Sequence, residues 1–173
     1  MQWMFNILEK CASRTALITL AIGFALVFGL IWMLIIKLMA LTGGIGILDF
    51  EIGYTPEKVQ TVLGSYGAEG MALYRKIQWL DLINPMLYGW LMAAVMYRLY
   101  PQKPLAWLTL LPLLAALLDY AENMILFILA ADYPDISAQS VATGSAISLV
   151  KNAVLFLTTL ALIIGGWRWY RTR

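Results

Sequence analysis

The sequence predicts an all-α integral membrane protein, an antiparallel four-helix bundle, and three observations lead to that prediction. Of the 173 residues, 62% are hydrophobic and 13% are charged, whereas a soluble domain is about 45–50% apolar and about 25% charged. Four stretches are long and apolar enough to cross a bilayer, which takes about 20 residues. Basic residues collect at both termini and in the second loop, a pattern typical of cytoplasmic segments.

The composition also excludes several kinds of site. The chain has no histidine and a single cysteine, Cys11, so an intrachain disulfide, a cysteine metal cluster and histidine-based catalysis are all ruled out. The net charge of +2 is too small to indicate a nucleic-acid partner. No motif of acyl or phosphoryl transfer is present, and we predict no metal site and no cofactor.

The N-terminal segment, 1–12, predicts an amphipathic helix that lies in the membrane interface. Its apolar stripe consists of Trp3, Met4, Ile7, Leu8 and Cys11. The first span, 15–41, is much longer than the apolar core of about 7–15 residues in a signal peptide, so we expect a retained helix. Small residues on that span, Ala21, Ala25 and Gly29, favour close helix packing.

The first loop, 42–76, predicts a helical lid on the outer side of the membrane, with a passive surface loop as the alternative. Glycines at 43, 44 and 46 break the first span. Thr55 is placed to cap a short helix that begins at Pro56 and that Gly64 ends. Its apolar face consists of Val59, Val62 and Leu63. A second helical run, 68–76, leads into span two.

The remaining spans are 77–99, 104–131 and 141–166, and the whole chain forms one membrane domain. We expect kinks at Pro85 and Pro112. The residues that favour cytoplasmic termini and a cytoplasmic second loop are Lys10, Arg14, Arg98, Lys103, Arg168, Arg171 and Arg173. The first loop carries Lys58, Arg75 and Lys76, offset by Asp49, Glu51, Glu57 and Glu69. This pattern predicts a multi-pass protein of the bacterial inner (plasma) membrane with both termini inside.

Ionisable residues inside the spans are the functional candidates, because such groups are costly in a bilayer and face the bundle interior. With a rise of about 1.5 Å per residue, those of spans two to four fall in the outer half of the membrane. Their spacings place them on facing helical stripes. The candidate ligand-binding residues are Asp81, Asn84, Tyr88, Asp119, Glu122, Asn123, Ser148, Lys151 and Asn152. Lys37 is expected to extend to the outer interface.

The charge of this cluster does not balance, since Asp81, Asp119 and Glu122 share one base, Lys151. Protons or a cation must compensate the excess acids in a medium of low polarity. The sequence therefore predicts a small inner-membrane protein that binds a lipid-like or cationic amphiphilic ligand in a buried acidic and amide pocket open to the outer side. The expected partners are membrane lipids and that small amphiphilic ligand.

Two alternatives remain open at this stage. The protein could be a lipid- or isoprenoid-modifying enzyme that uses Asp119 or Glu122 in acid–base catalysis. It could also be an accessory subunit of a membrane complex, in which the polar network is purely structural. The apolar inner halves of spans two to four count against proton-coupled transport. The sequence leaves open whether the chain forms a homo-oligomer or joins a larger complex.

Several motifs resemble a family of uncharacterised bacterial four-span integral membrane proteins. They are Gly53-Tyr54-Thr55-Pro56-Glu57, Tyr66-Gly67-Ala68-Glu69-Gly70, Asp81 with Pro85, and Asp119-Tyr120-Ala121-Glu122-Asn123. That resemblance implies the same four-span topology and no particular activity. In architecture the chain is more distantly similar to the emopamil-binding and sigma-2-receptor group, which binds cationic amphiphiles and sterols beside buried acids. The isomerase members use histidine, which this chain lacks, so the similarity does not imply isomerase activity.

Overall fold

The computed structural model describes residues 2–100 and 103–172. For residues 2, 4, 5 and 103–105 it describes the backbone alone. The roles predicted for Met4, Lys103 and Arg173 therefore lie outside the described part of the chain.

The described residues form helices and loops and contain no strand, which confirms the all-α class. The seven α-helices of this part are α1 (Gln2–Cys11), α2 (Arg14–Leu41), α3 (Pro56–Ser65), α4 (Gly67–Asp81), α5 (Asn84–Leu99), α6 (Leu111–Asp132) and α7 (Ala138–Arg171). Two 3-10 segments accompany them, Leu48–Phe50 in the first loop and Lys103–Leu110 before α6.

Three helices are long and apolar enough to cross a membrane: Arg14–Leu41, Ala106–Asp132 and Ala138–Arg171. The predicted second span, 77–99, is divided between two helices, and its crossing of the membrane stays a prediction. α4 ends at Asp81 and α5 begins at Asn84. Pro85 lies in the first turn of α5, where its missing N–H costs nothing, whereas inside a helix it would remove a hydrogen bond. Pro112 likewise lies in the first turn of α6, after the 3-10 segment.

The short helix of the first loop, α3, begins as the sequence predicts. The Thr55 side chain accepts a hydrogen bond from the backbone N–H of Lys58 at 3.3 Å, and Pro56 follows the cap. Its apolar face, Val59, Val62 and Leu63, is fully buried. The predicted end at Gly64 is wrong by one residue, because α3 continues to Ser65. The left-handed backbone that lets the chain turn into α4 is at Gly67, with φ +57°.

Both basic termini and the second loop lie at one end of the molecule. The Arg98 guanidinium donates from Nε to the carbonyl of Ala12 at 2.6 Å, which joins the end of α5 to the start of α2. The Tyr100 hydroxyl donates to the carbonyl of Ala161 at 2.6 Å, which brings the C-terminal half of α7 to the same end. This is the arrangement that two termini on one side of a membrane require, and the predicted orientation itself stays a prediction.

The opposite end of the bundle contains most of the apolar core, and the first loop packs into it. Leu38, Leu63, Tyr74, Leu129 and Val141, from five different helices, are all completely buried there. The loop adds its own buried side chains, Ile47, Leu48 and Tyr54. The segment 47–54 is therefore part of the bundle interior at this end.

The small-residue stripe of span one does not pack within the chain, so that prediction was wrong. Ala21 and Ala25 are exposed, and a Cβ added at Gly29 would meet nothing within 4 Å. The buried face of α2 consists instead of Ile31, Ile35 and Leu38, on the half that faces the first loop and α4.

Candidate functional site

Lys151 lies at the centre of the polar cluster and pairs with two acids of α6. Its Nζ donates to Asp119 Oδ1 at 3.1 Å and contacts Glu122 Oε2. Asp119 and Glu122 are three residues apart on one face of α6, so a single side chain from α7 reaches both. The exposed fractions of the three side chains are 8%, 11% and 0% for Lys151, Asp119 and Glu122. This ion-pair cluster is therefore enclosed by the bundle.

Tyr88 extends the same network to α5. Its hydroxyl donates to Asp119 Oδ2 at 2.9 Å, so both oxygens of Asp119 are engaged, one by Tyr88 and one by Lys151. A buried carboxylate that accepts two hydrogen bonds is held in a fixed orientation. Asp119 thereby links α5, α6 and α7.

The break between α4 and α5 forms the second part of the cluster. Asp81 is the last residue of α4 and Asn84 the first of α5. Asn84 Nδ2 donates to Asp81 Oδ1 at 3.3 Å, and Asn123 Nδ2 on α6 donates to Asp81 Oδ2 at 2.9 Å. Both oxygens of Asp81 are therefore engaged as well, in this case by neutral amides.

Two of the predicted site residues lie away from the cavity, and one of them, Ser148, anchors the first loop. The Ser148 hydroxyl donates to the carbonyl of Glu51 at 3.2 Å, and Asn152 Nδ2 donates to the carbonyl of Ser148 at 2.8 Å. One turn away, Ser145 Oγ accepts from the backbone N–H of Tyr54 at 3.0 Å. These hydroxyls of α7 hold the loop against the bundle.

A cavity of about 150 Å³ lies between α2, the first loop and the polar cluster. Its polar wall consists of Asp49, Asp81, Asn84, Asp119 and Lys151. Its apolar wall consists of Phe28, Ile31, Trp32, Ile35, Ile47, Phe50 and Ile77. Four of the nine predicted site residues thus line the cavity directly. Tyr88, Glu122 and Asn123 lie behind it and hold the lining carboxylates or the lysine in place.

Asp49 is the functional candidate that sequence reasoning missed, since we treated it as a charge on the outer loop. The 3-10 turn Leu48–Phe50 brings it to the cavity wall. Burial, together with the nearby carboxylates of Asp81 and Glu122, raises the pKa of Asp49 to about 8. A signal was present in the sequence: Asp49 is the one acid in the apolar run 45–50 that follows the glycine break.

The aromatic side chains of the apolar wall form a row. The ring centroids of Phe28 and Trp32 are 6.3 Å apart, and those of Trp32 and Phe50 are 6.0 Å apart. These three side chains are 46%, 45% and 55% exposed while they also line the cavity. The cavity therefore reaches the lateral surface of the bundle beside α2.

The cavity and its surroundings contain more acceptors and negative charge than donors and positive charge. Four carboxyl groups, those of Asp49, Asp81, Asp119 and Glu122, lie in or next to the cavity with the ammonium of Lys151, which pairs with two of them, Asp119 and Glu122. Within the described part of the chain, Asn84 Oδ1 and Glu122 Oε1 are buried without a hydrogen-bond partner. Protons or a cationic group must compensate such an excess in a low-dielectric interior. No three acidic or cysteine side chains of residues 2–100 and 103–172 are arranged to hold a metal ion.

Comparisons of the chain with protein-family models, curated proteins and solved structures find no match. The resemblance to four-span bacterial membrane proteins therefore stays a prediction.

Proposed function

We propose that the protein is a four-span bacterial inner-membrane protein that binds the cationic head group of an amphiphile in the acid-lined cavity. In this proposal α4 and α5 together form the second crossing, broken at Leu82 and Ile83, while α2, α6 and α7 form the others. Both termini lie on the cytoplasmic side, and the cavity lies in the outer half of the bilayer beneath the first loop.

The observation that carries this proposal is the pairing of two unlike walls around one cavity. The polar wall presents Asp49, Asp81 and Asp119, and Lys151 already pairs with two acids, so this wall favours positive charge. The other wall is apolar and belongs largely to α2. Ligand sites combine a mostly apolar lining with a few polar groups that fix orientation. A molecule with a cationic end and an apolar end is complementary to both walls.

The size and position of the cavity support an amphiphile over a water-soluble cation. Pockets that enclose drug-sized ligands have about 300–1,000 Å³, so a cavity of about 150 Å³ accommodates a head group alone. The tail then remains outside, along the half-exposed surface of α2 at Phe28 and Trp32. Because α2 is long and apolar enough to cross the membrane, that surface is in contact with lipid chains.

A purely structural role is the second candidate, and one observation favours it for part of the cluster. Glu122 is completely buried, contacts Lys151 and does not line the cavity. Glu122 and Lys151 therefore serve to join α6 to α7. The structural alternative extends this role to Asp49 and Asp81, for which no basic partner is found among the described residues.

The test is binding of a cationic amphiphile to the purified protein in dodecyl maltoside. A ligand that binds only the folded state raises the unfolding temperature as its concentration rises. We expect decylamine, cationic at pH 7, to raise this temperature, and decyl sulfate, of equal chain length, to leave it unchanged or lower it. At pH 9, where Asp49 is ionised and an alkylammonium still carries its charge, Asp49→Asn should weaken the response to decylamine about tenfold or more in concentration.

The matched control is Asp132→Asn, which removes the same charge from an exposed residue at the end of α6. This variant should respond to decylamine as the wild type does. Equal responses to decylamine and decyl sulfate, or equal loss of response in both variants, would overturn the proposal. The structural alternative predicts a lower unfolding temperature for Asp49→Asn and no change in any ligand response.

A further inference from the structure

We propose that the cavity selects an N-methylated ammonium head group over a primary ammonium of the same chain length. This inference rests on the proposed function and names the class of cation that the site takes. Two independent features lead to it: the hydrogen bonds already made by the lining carboxylates, and the aromatic row that lines the same cavity.

The carboxylates of Asp81 and Asp119 offer negative charge, and each of their oxygens already accepts one hydrogen bond. Asp81 accepts from Asn84 and Asn123, one hydrogen bond on each oxygen. Asp119 accepts from Lys151 and Tyr88, again one on each oxygen. A primary ammonium carries three N–H donors and is strongly hydrated, so it needs several free acceptors to replace its water. These two carboxylates instead act as fixed negative charges whose oxygens already have donors.

Asn84 and Asp49 supply further acceptors on the polar wall of the cavity. Asn84 Oδ1 is buried without a partner within residues 2–100 and 103–172, and Asp49 lies on the same wall. One N–H, as in a tertiary methylated ammonium, can be satisfied at either group, and a quaternary ammonium requires no acceptor. Methyl groups spread the positive charge over an apolar surface, which lowers the cost of removing the head group from water.

The aromatic wall is what such a head group prefers. Phe28, Trp32 and Phe50 line the same cavity as the acids, and neighbouring ring centroids are 6.3 and 6.0 Å apart. Methylated ammonium ions are attracted to the electron-rich faces of aromatic rings, most strongly to tryptophan. Phe24, whose ring centroid is 5.5 Å from that of Phe28, continues the row along α2, where the alkyl chain of the ligand would lie.

The volume of the cavity agrees with this head group. A trimethylammonium group with its first methylene has about five non-hydrogen atoms, and an apolar cavity of about 150 Å³ holds a benzene ring of similar size. The cavity beside Trp32 has the same volume of about 150 Å³.

The experiment compares two cations that differ only in methylation. Binding of decyltrimethylammonium and of decylamine to the protein in dodecyl maltoside is measured by isothermal titration calorimetry at pH 7, with decyl sulfate as the anionic reference. We expect decyltrimethylammonium to bind about tenfold more tightly than decylamine or better, and decyl sulfate not to bind.

Trp32→Leu tests the aromatic wall directly. It should weaken binding of decyltrimethylammonium about tenfold and that of decylamine about threefold or less, while Trp32→Phe should keep most of the affinity. The control is Trp79→Leu, because Trp79 is 66% exposed, packs against Phe127 and does not line the cavity. Its affinities should equal those of the wild type.

The outcomes separate this inference from the function on which it rests. If decylamine binds as tightly as decyltrimethylammonium, or if Trp32→Leu weakens both equally, selection for methylation is wrong while cation binding stands. If neither cation binds, or decyl sulfate binds equally well, the proposed function itself is wrong.

Discussion

At the scale of single residues, Lys151 determines the electrostatics of the cluster. It is the base that contacts both Asp119 and Glu122, and all three side chains are nearly excluded from solvent. Removing one partner of a buried ion pair lowers the free energy of unfolding far more than removing an exposed pair does, because the remaining charge stays in a low-dielectric environment.

Lys151→Met should therefore lower the free energy of unfolding by about 3–5 kcal/mol, measured by denaturant titration in detergent. The exposed control is Lys58→Met, which removes the surface pair with Glu51 and should cost about 1 kcal/mol or less. Adding Glu122→Gln to Lys151→Met should restore part of the loss, because one unpaired acid then disappears. A double variant less stable than Lys151→Met would contradict this account.

The raised pKa of Asp49 makes the stability of the folded protein depend on pH. Its pKa is about 8 in the folded protein, against an ordinary value near 3.8, so between these values the folded state retains a proton that the unfolded state has lost. Stability should therefore fall as the pH rises from about 4 to about 8. The measurement is the unfolding temperature of wild type and Asp49→Asn from pH 5 to pH 9. The variant should lose less stability across this range, and parallel curves would contradict the assignment.

At the scale of secondary-structure elements, the contact between α7 and the first loop holds the loop against the bundle. Tyr54 and Ser145 are hydrogen-bonded across it, and Gly144 lies in the same contact. A Cβ added at Gly144 would collide with the hydroxyl of Tyr54 and would lie 2.7 Å from Ile125 Cγ2. The absence of a side chain there allows the loop to approach α7.

Gly144→Ala should consequently lower the free energy of unfolding by about 1–3 kcal/mol, the usual cost of overpacking, and weaken decylamine binding because the loop is displaced. Gly29→Ala is the matched control, since its Cβ would meet nothing within 4 Å. That variant should be neutral or slightly stabilising, because alanine favours the helix. Unfolding curves that coincide for the two variants would contradict the packing described here.

The elements show which parts of the fold sequence reasoning can reach. The start of α3 at Pro56 and the buried face of that helix were predictable, because capping and hydrophobic periodicity are local effects. The break at Leu82 and Ile83 was anticipated only as a kink at Pro85. The hydrogen bonds that Asp81 accepts at the break come from Asn84 on α5 and from Asn123 on α6, and the second of these is a tertiary contact. The packing face of α2 was mistaken because small residues there suggested contact, while the partner helices contact Ile31 and Ile35 instead.

At the scale of the whole molecule, the positions of the two ends predict which residues a water-soluble reagent reaches from each side of the membrane. Asp135 follows α6 at the end that contains the first loop, and Thr172 follows α7 at the end with Arg98 and Ala12. In a Cys11→Ser background, Asp135→Cys should react with a membrane-impermeant thiol reagent in intact cells. Thr172→Cys should react only after the membrane is permeabilised. Labelling of Thr172→Cys in intact cells would reverse the proposed orientation.

Part of the site was predictable at this scale because charge in an apolar segment is conspicuous. Asp81, Asp119 and Lys151 were found in this way, and all three line the cavity. Asp49 was missed because loop charges are ordinarily exposed, and only the tertiary structure carries the turn at Leu48–Phe50 inward. Phe28 and Trp32 gave no signal, since aromatic residues on a lipid-facing helix are common and their role depends on what lies opposite.

The pairing of Lys151 with two acids of α6 also has a consequence for how the chain is made. During synthesis α6 emerges before α7, and each carboxylate that enters the bilayer alone costs about 2.5–3.5 kcal/mol. Lys151 arrives one helix later and contacts both Asp119 and Glu122. We therefore expect the insertion machinery to release α6 and α7 into the lipid together, as one helical hairpin, after the lysine has reached its partners.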